Sequence, residues 1–235
     1  MDLESLLFSQ GFGSRRQCRA LLLAGAVTVD GVPITDPTAR IAPADFAFEV
    51  DGTRWLYREK VYLALNKPAG YECSREPQHH DSVFSLLPEP LRTRAVQCVG
   101  RLDQDTTGLL LLSDDGAFVH RYTSPKRKVG KRYRVRLKHP ADAGLEAALR
   151  QGVVLRDDPT PRAAQQVARI APDCIEMTIT EGKYHQVKRM IAAAGNRVEA
   201  LHRSAIGGFA LPEGLAPGDW LYLDATQLAA LGAPA

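Results

Sequence analysis

The sequence predicts an α+β chain in two parts, a small N-terminal unit over residues 1–58 and a larger one over residues 59–235. Three observations predict it. The first sixty residues change from helical spacing, with Leu3, Leu6 and Leu7 and then Cys18, Leu21 and Leu22, to strand alternation at Phe46, Phe48 and Val50. The remainder carries short apolar runs divided by turn residues, with few helical patterns among them. Leu109 to Leu112, an unbroken leucine run too short for a helix, reads as a strand buried on both faces.

At 45% hydrophobic over 235 residues the chain can bury a real core. Lys and Arg number 30 against 27 Asp and Glu, so net charge decides little and the placement of charge must decide more. Cys18, Cys73, Cys98 and Cys174 are scattered, and none has CxxC spacing. Neither a zinc ribbon nor a disulfide framework is expected, and reduced thiols suit a cytoplasmic protein. No signal peptide is expected, because Asp2 and Glu4 precede only a brief apolar patch. No run approaches the roughly 20 apolar residues of a membrane span.

In the first part, Gly11 and Gly13 end one helix, Ser14 caps a second, and Gly25 stops it. Arg15, Arg16 and Arg19 lie away from the apolar stripe of that second helix, either as a solvated face or as phosphate contacts. Val27–Val29 and Val32–Ile34 read as a hairpin turning on Asp30-Gly31, and a strand follows up to Asp51-Gly52. Six basic and seven acidic residues make residues 1–58 nearly neutral, so the arginine cluster is local. Trp55 to Lys60 reads as the connection onward.

In the second part Val61–Leu65 is a strand leading to Asn66-Lys67-Pro68-Ala69-Gly70, a fixed turn presenting Lys67 at its start. His79, His80 and Asp81 lack further metal ligands at fitting spacing. Ser82–Leu87 and Gly144–Gly152 read as helices. Arg156–Arg162 reads as a polar loop. Strands are expected near Gln166–Ile170, Ile175–Ile179, Val198–His202 and Trp220–Leu223, before a short tail. Arg121 to Lys138 carries nine basic residues and no acidic one, with Tyr122 and Tyr133 interleaved. Such a run is either simply solvated or the footprint of a polyanion groove with aromatic surfaces for bases. Alternation turns Tyr133, Val135 and Leu137 inward. Val187, Met190, Ile191 and Ala194 make the stripe of a further helix. Lys188 borders that stripe, placed to snorkel or to aim into a cleft.

Gly100 to Gly116 sets Asp103 a few residues ahead of the leucine strand. That suits a rigidly held reactive carboxylate or merely a turn. Asp103 and Asp105 should point to opposite faces, which is unsuitable for a glycosidase pair, and Asp105 is expected to be dispensable. Asp114-Asp115-Gly116 reads as the strand's exit. No nucleophile elbow, phosphate loop, dinucleotide fingerprint or HExxH occurs. What remains is an RNA-acting enzyme without metal or nucleotide, or an RNA-binding assembly factor without chemistry.

The NKPAG turn, GRLDQDTTGLLLL, KRYRV and EGKYHQVKRM together resemble the RsuA-type pseudouridine synthases of ribosomal RNA. SRRQCRALLLAGAVTVDGVPI resembles the S4-like RNA-binding domain. The resemblance implies an S4-like domain over residues 1–58. It implies a catalytic domain over residues 59–235, built on a mainly antiparallel mixed sheet with flanking helices. The implied activity is isomerisation of one uridine of 16S rRNA, at the 516 position, with a large-subunit target as the alternative. Asp103 would be the catalytic carboxylate and Tyr133 would pack on the base and take the proton from carbon 5. Lys188 would pair with Asp103, and Arg101 would hold the flipped-out nucleotide. RNA or substrate contacts are implied for Arg15, Arg16, Arg19, Lys67, Lys131, Arg132, His185 and Gln186. No cofactor or metal is implied. The expected setting is a monomer in the cytoplasm, acting on 16S rRNA in a small-subunit assembly intermediate, with no membrane partner.

Overall fold

The computed structural model describes residues 1–233. The chain divides into two compact units, Met1–Val61 with Leu87–Gln97, and Tyr62–Leu86 with Cys98 onward.

In the first unit, α1 (Leu3–Ser9) starts at Asp2, whose carboxylate accepts from the Ser5 N–H. Helix α2 (Arg15–Leu23) starts at Ser14 with a reciprocal capping box to Gln17. Leu3, Leu6, Leu7, Cys18 and Leu22 pack against Val27, Phe48 and Val50. Strands β1 (Val27–Val29) and β2 (Val32–Pro33) join through Asp30 and Gly31, both left-handed, as a two-residue hairpin turn requires. Strand β3 (Ala47–Val50) turns through Asp51-Gly52 in the same way into β4 (Thr53–Leu56), giving the order β2-β1-β3-β4. The expected connection from Trp55 is therefore in part a fourth strand. Asp51-Gly52 is a hairpin turn, and Trp55 sets its ring edge-on to Phe12 at 5.3 Å. Helix α3 (Glu89–Thr93) also counts with this unit. The Pro90 carbonyl lies 2.0 Å from where a Cβ on Gly11 would sit, so only glycine fits there.

The second unit opens with β5 (Tyr62–Lys67), the short pair β6 (Tyr71–Glu72) and β7 (Asp81–Ser82), and a 3-10 turn at Val83–Leu86. Strand β8 (Gln97–Val99), a loop and β9 (Thr107–Ser113) follow, then α4 (Gly116–Thr123) and β10 (Lys131–Leu137). Next come α5 (Ala143–Gln151), β11 (Val153–Leu155), β12 (Asp158–Arg162), β13 (Gln166–Ala171), β14 (Cys174–Ile179) and α6 (Gln186–Ala193). Strands β15 (Val198–Ile206), β16 (Phe209–Ala210) and β17 (Trp220–Tyr222), and α7 (Ala225–Leu231), complete it. The main sheet runs β13-β14-β10-β15-β9-β5-β17. All neighbours on this path are antiparallel except β9 and β15, which are parallel. Leu109 to Leu112 are fully buried. Leu109 and Leu111 share a cluster with Ala64, Val99, Tyr122, Ile206 and Phe209.

Three local readings change. Asp115 does not merely end a strand. It caps α4, accepting from the Ala117 and Phe118 N–H groups and from the Tyr62 hydroxyl. Residues 156–162 are largely the return strand of the β11–β12 hairpin. The expected tail holds α7, begun by an Asp224–Gln227 capping box.

At the parallel junction Gly108 faces Arg203, and a Cβ at Gly108 would lie 2.3 Å from the Arg203 carbonyl oxygen, at a φ of +99°. Gly108→Ala is expected to cost about 3 kcal/mol through backbone strain and overpacking. Urea unfolding of the full chain measures it, and an unchanged midpoint would refute the close approach.

Candidate active site

The loop between β8 and β9 carries Arg101, Asp103 and Asp105, and its shape is fixed from below. The Thr106 N–H donates to the Asp103 carbonyl at 3.1 Å, closing a tight turn. The Lys67 ammonium donates to the carbonyls of Pro68, Gln104 and Thr106 at 3.0, 3.2 and 2.9 Å. The Gly70 N–H donates to the Gln104 carbonyl at 2.8 Å, and the Leu102 N–H donates to the Cys73 sulfur at 3.4 Å. A hydrogen bond from Cys98 holds the Cys73 thiol below its usual range, and the same contact pushes Cys98 up.

Helix α6 brings the counter-charges. The Lys188 ammonium lies 3.1 Å from one Asp103 oxygen and 2.7 Å from an Asp105 oxygen. His185 Nε2 is 3.3 Å from the other Asp103 oxygen. The expectation that Asp103 and Asp105 diverge is thus wrong: they lie in a turn rather than a strand, so pleat alternation does not apply and both reach Lys188. Burial opposes the charge on Lys188, but the bonds to Asp105 and Asp103 prevail and raise its pKa. Burial likewise opposes ionisation of Asp105, and the Lys188 bond and charge prevail, lowering it.

Asp103 lines a cavity of about 550 Å³ together with Arg101, Lys131, Tyr133, His185 and Arg203. Tyr133 is inward, as alternation requires. A bulge at Ser204 sets Tyr133 directly opposite Arg203, so both occupy one face of the sheet. The Tyr133 hydroxyl is 3.5 Å from Arg203 Nη1. Burial, followed by the charge of Arg203, brings Lys131 down to about 8.

Several expected contact residues have other work. Lys67 is not presented to RNA: it has no exposed surface and its ammonium is spent on carbonyls of the β8–β9 loop. Gln186 is buried, and its amide accepts from the Lys183 N–H and reaches Glu181, bracing the loop before α6. Tyr122 is buried and packs in the core against Phe118 at 4.7 Å. Arg132 lies beside Glu176, and Arg134 and Arg136 are exposed on the outer face of β10. Arg15, Arg16 and Arg19 are exposed on α2, in the other unit, with Glu4 paired to Arg19 at 2.7 Å.

Arg203 and Thr106 are cavity residues that pattern reading missed. Leu201, Arg203 and Ala205 alternate along β15, so an arginine on an apolar face was the available signal. The expected strand ended at His202, four residues before the end of β15 and just ahead of Arg203. Asp158 was missed as well. It holds Arg162 and Lys183, which tie the β12 end to the loop carrying His185.

Among the described residues no group of three or more His, Cys, Asp or Glu could hold a metal, and no helix is long and apolar enough to cross a membrane.

A carboxylate clamped by a lysine and a histidine, beside a cavity of ligand size bearing an inward tyrosine and basic groups, defines a site that handles a nucleoside within a polyanion. The RNA pseudouridylate synthase family description matches residues 61–193, and the S4 domain matches residues 3–46. The chain is 39% identical over 235 residues to the ribosomal small subunit pseudouridine synthase A of Yersinia pestis, covering 100% of this chain and 99% of that one. It is 38% identical over 233 residues to the Salmonella typhimurium protein of the same name, covering 99% and 100%. The crystal structure of a pseudouridylate synthase matches with a TM-score of 0.70 at 33% identity, covering 98% of this chain and 99% of that one. The chain belongs to the RsuA-type pseudouridine synthases, RNA isomerases with an S4 domain ahead of the catalytic domain.

Lys188→Met is expected to raise the Asp105 pKa, observed by carboxyl carbon NMR. In the parent, the lowered value contributes stability that is complete above the unfolded value near 3.8 and is lost as pH falls through the folded one. That pH-linked contribution disappears in the variant, and an unmoved Asp105 titration would refute the bridge.

Proposed function

We propose that the protein isomerises one uridine of 16S rRNA to pseudouridine, the uridine at position 516, within a small-subunit assembly intermediate. The observation that carries this reading is Asp103 held between Lys188 and His185 at a cavity that also contains Tyr133. The names of the full-length relatives support the small-subunit target.

The glycosidic bond of a stacked nucleotide is out of reach, so the uridine must be flipped into the cavity. Arg101, exposed at the cavity, is the residue to hold that conformation. Asp103 acts at the ribose while the bond from its C1′ to N1 of the base breaks. Lys188 keeps the carboxylate placed and balances its charge. The freed uracil turns and rejoins C1′ through carbon 5, and Tyr133, packed on the base, removes the proton from that carbon. The isomerisation needs no redox partner or group donor. Lys131 and His185 contact substrate, and the arginines of α2 contact phosphates. The protein acts as a cytoplasmic monomer.

Asp103→Asn is expected to retain rRNA binding and to abolish pseudouridine formation, read by carbodiimide treatment and primer extension. Undiminished product would refute the role of Asp103, and absence of product from the parent would favour a binding factor without chemistry. Replacing Arg15, Arg16 and Arg19 together by Ala is expected to weaken binding and to reduce the slope of log affinity against log salt by about 1 to 2, since Glu4 already offsets part of their charge. An unchanged slope would remove α2 from the RNA interface.

A further inference from the structure

Two buried polar atoms at the cavity, Arg203 Nη2 and the Thr106 hydroxyl, have no hydrogen-bond partner among the described residues. Arg203 is 3% exposed and Thr106 is 1% exposed, and both line the cavity that Asp103 lines. The Arg203 guanidinium is held at one end only, where Nε donates to the Leu109 carbonyl at 2.7 Å. Nη1 reaches the Tyr133 hydroxyl at a long 3.5 Å, and Nη2 has no acceptor. The Thr106 hydroxyl is likewise without a partner. Among the described residues no carboxylate pairs with Arg203. A second cation, Lys131, stands close enough for the charge of Arg203 to depress its pKa. Buried charges are ordinarily paired and buried polar groups ordinarily bonded, because leaving them bare forfeits their hydration. A cationic pocket that satisfies neither group is built for an acceptor that arrives with the substrate and gains negative charge.

We propose that Arg203, with Thr106 beside it, binds the carbonyl edge of the flipped uracil and stabilises the uracil anion formed when the glycosidic bond breaks. The inference rests on the isomerase reading above. When the bond between C1′ and N1 breaks, the electron pair stays on N1 and spreads onto O2 and O4. Asp103 takes up the electron demand at the ribose. The fixed guanidinium donates to a carbonyl oxygen as charge accumulates there, and the Thr106 hydroxyl donates to the second carbonyl or accepts from N3–H. Once carbon 5 has bonded to C1′, that carbon loses its proton and N1 gains one, so the base leaves neutral. Arg203 is positioned in advance by its Nε bond to β9, so little reorganisation accompanies the reaction. The Gly108 contact serves the same end, because it lets the Arg203 backbone approach β9 closely.

The test compares two leaving groups. 16S rRNA transcripts are made with uridine or with 5-fluorouridine and refolded with small-subunit proteins. Single-turnover rates of bond cleavage at the target are read by nucleoside digestion and mass spectrometry. Fluorine withdraws electrons and stabilises the base anion, so a group that stabilises that anion matters less on the fluorinated RNA. Arg203→Met is expected to slow the uridine reaction about 100-fold, and the fluorinated one by a clearly smaller factor. Thr106→Val, which leaves the guanidinium in place, is expected to cost about tenfold with the same narrowing. Arg203→Lys should recover part of the Arg203→Met loss. If Arg203→Met fails to fold, Thr106→Val and Arg203→Lys carry the comparison. Equal losses on the two RNAs would show a merely structural role and overturn the proposal, as would variant rates within threefold of the parent. A parent enzyme that forms no pseudouridine would overturn the isomerase reading itself, and this inference with it.

Discussion

The loop that carries Asp103 depends on one buried charge. Lys67 ends β5 with its ammonium under the turn that carries Asp103, and it is bonded to three backbone carbonyls rather than to a carboxylate. Burial lowers its pKa against the pull of Cys73, Asp105 and Asp103. A protonated amine there gives the Thr106 carbonyl a donor and adds one to the Gln104 carbonyl beside the Gly70 N–H, in a loop lifted off a sheet. It also leaves the nearby aspartates free for Lys188 and His185. Separate lysines therefore divide the work: one shapes the backbone beneath the carboxylates and the other neutralises their side chains from above. Replacing Lys67 by an arginine would keep the charge but force a planar fork into a site shaped for a compact ammonium.

The sheet supplies the other half of the geometry. Its main path changes from antiparallel to parallel between β9 and β15, and the Asp103 loop enters β9 at that junction. Gly108 allows the two backbones to close there. On the far side of β15 the bulge at Ser204 re-aims one residue and brings Arg203 opposite Tyr133. Without the bulge, period-two alternation would place Ser204 opposite Tyr133 and turn the arginine away. The junction and the bulge are backbone features, yet each determines which side chains share the cavity.

This division explains what was legible in the sequence. The leucine strand, the capped α2 and the Asp30-Gly31 hairpin rest on local rules of spacing and capping, and local rules survive folding. Asp103, Tyr133 and Lys188 were legible through short motifs and inward alternation, and the structure brings Asp103 and Lys188 into contact and Tyr133 to the same cavity. Lys67 was misread, and Gln186, which lines the cavity, has a bracing part that was not foreseen, for a common reason. A polar residue in a motif looks like a ligand contact, and only tertiary packing shows that its bonds are spent inside the protein. Asp105 was misread because pleat geometry was extended into a turn. Arg203 was missed because the expected strand stopped at His202, short of the alternating Leu201, Arg203 and Ala205, and its pairing with Tyr133 depends on a bulge that sequence periodicity does not encode.

The charges around the cavity follow the same order. Carboxylates come from the loop, with Lys188 and His185 of the α6 segment as their partners. Cations that pair with no carboxylate among the described residues come from the sheet, with Arg203 on β15 and Lys131 on β10. A nucleoside whose sugar–base bond breaks heterolytically develops positive character at the sugar and negative character at the base. A carboxylate beside one and a guanidinium beside the other would stabilise both at once, each strengthened where the bound base excludes water. Either group alone would leave one end of the breaking bond uncompensated. On this account the unpaired arginine and the doubly held aspartate are two halves of one electrostatic arrangement, and the rigidity of the Lys67 turn and the β9–β15 junction maintains the distance between them.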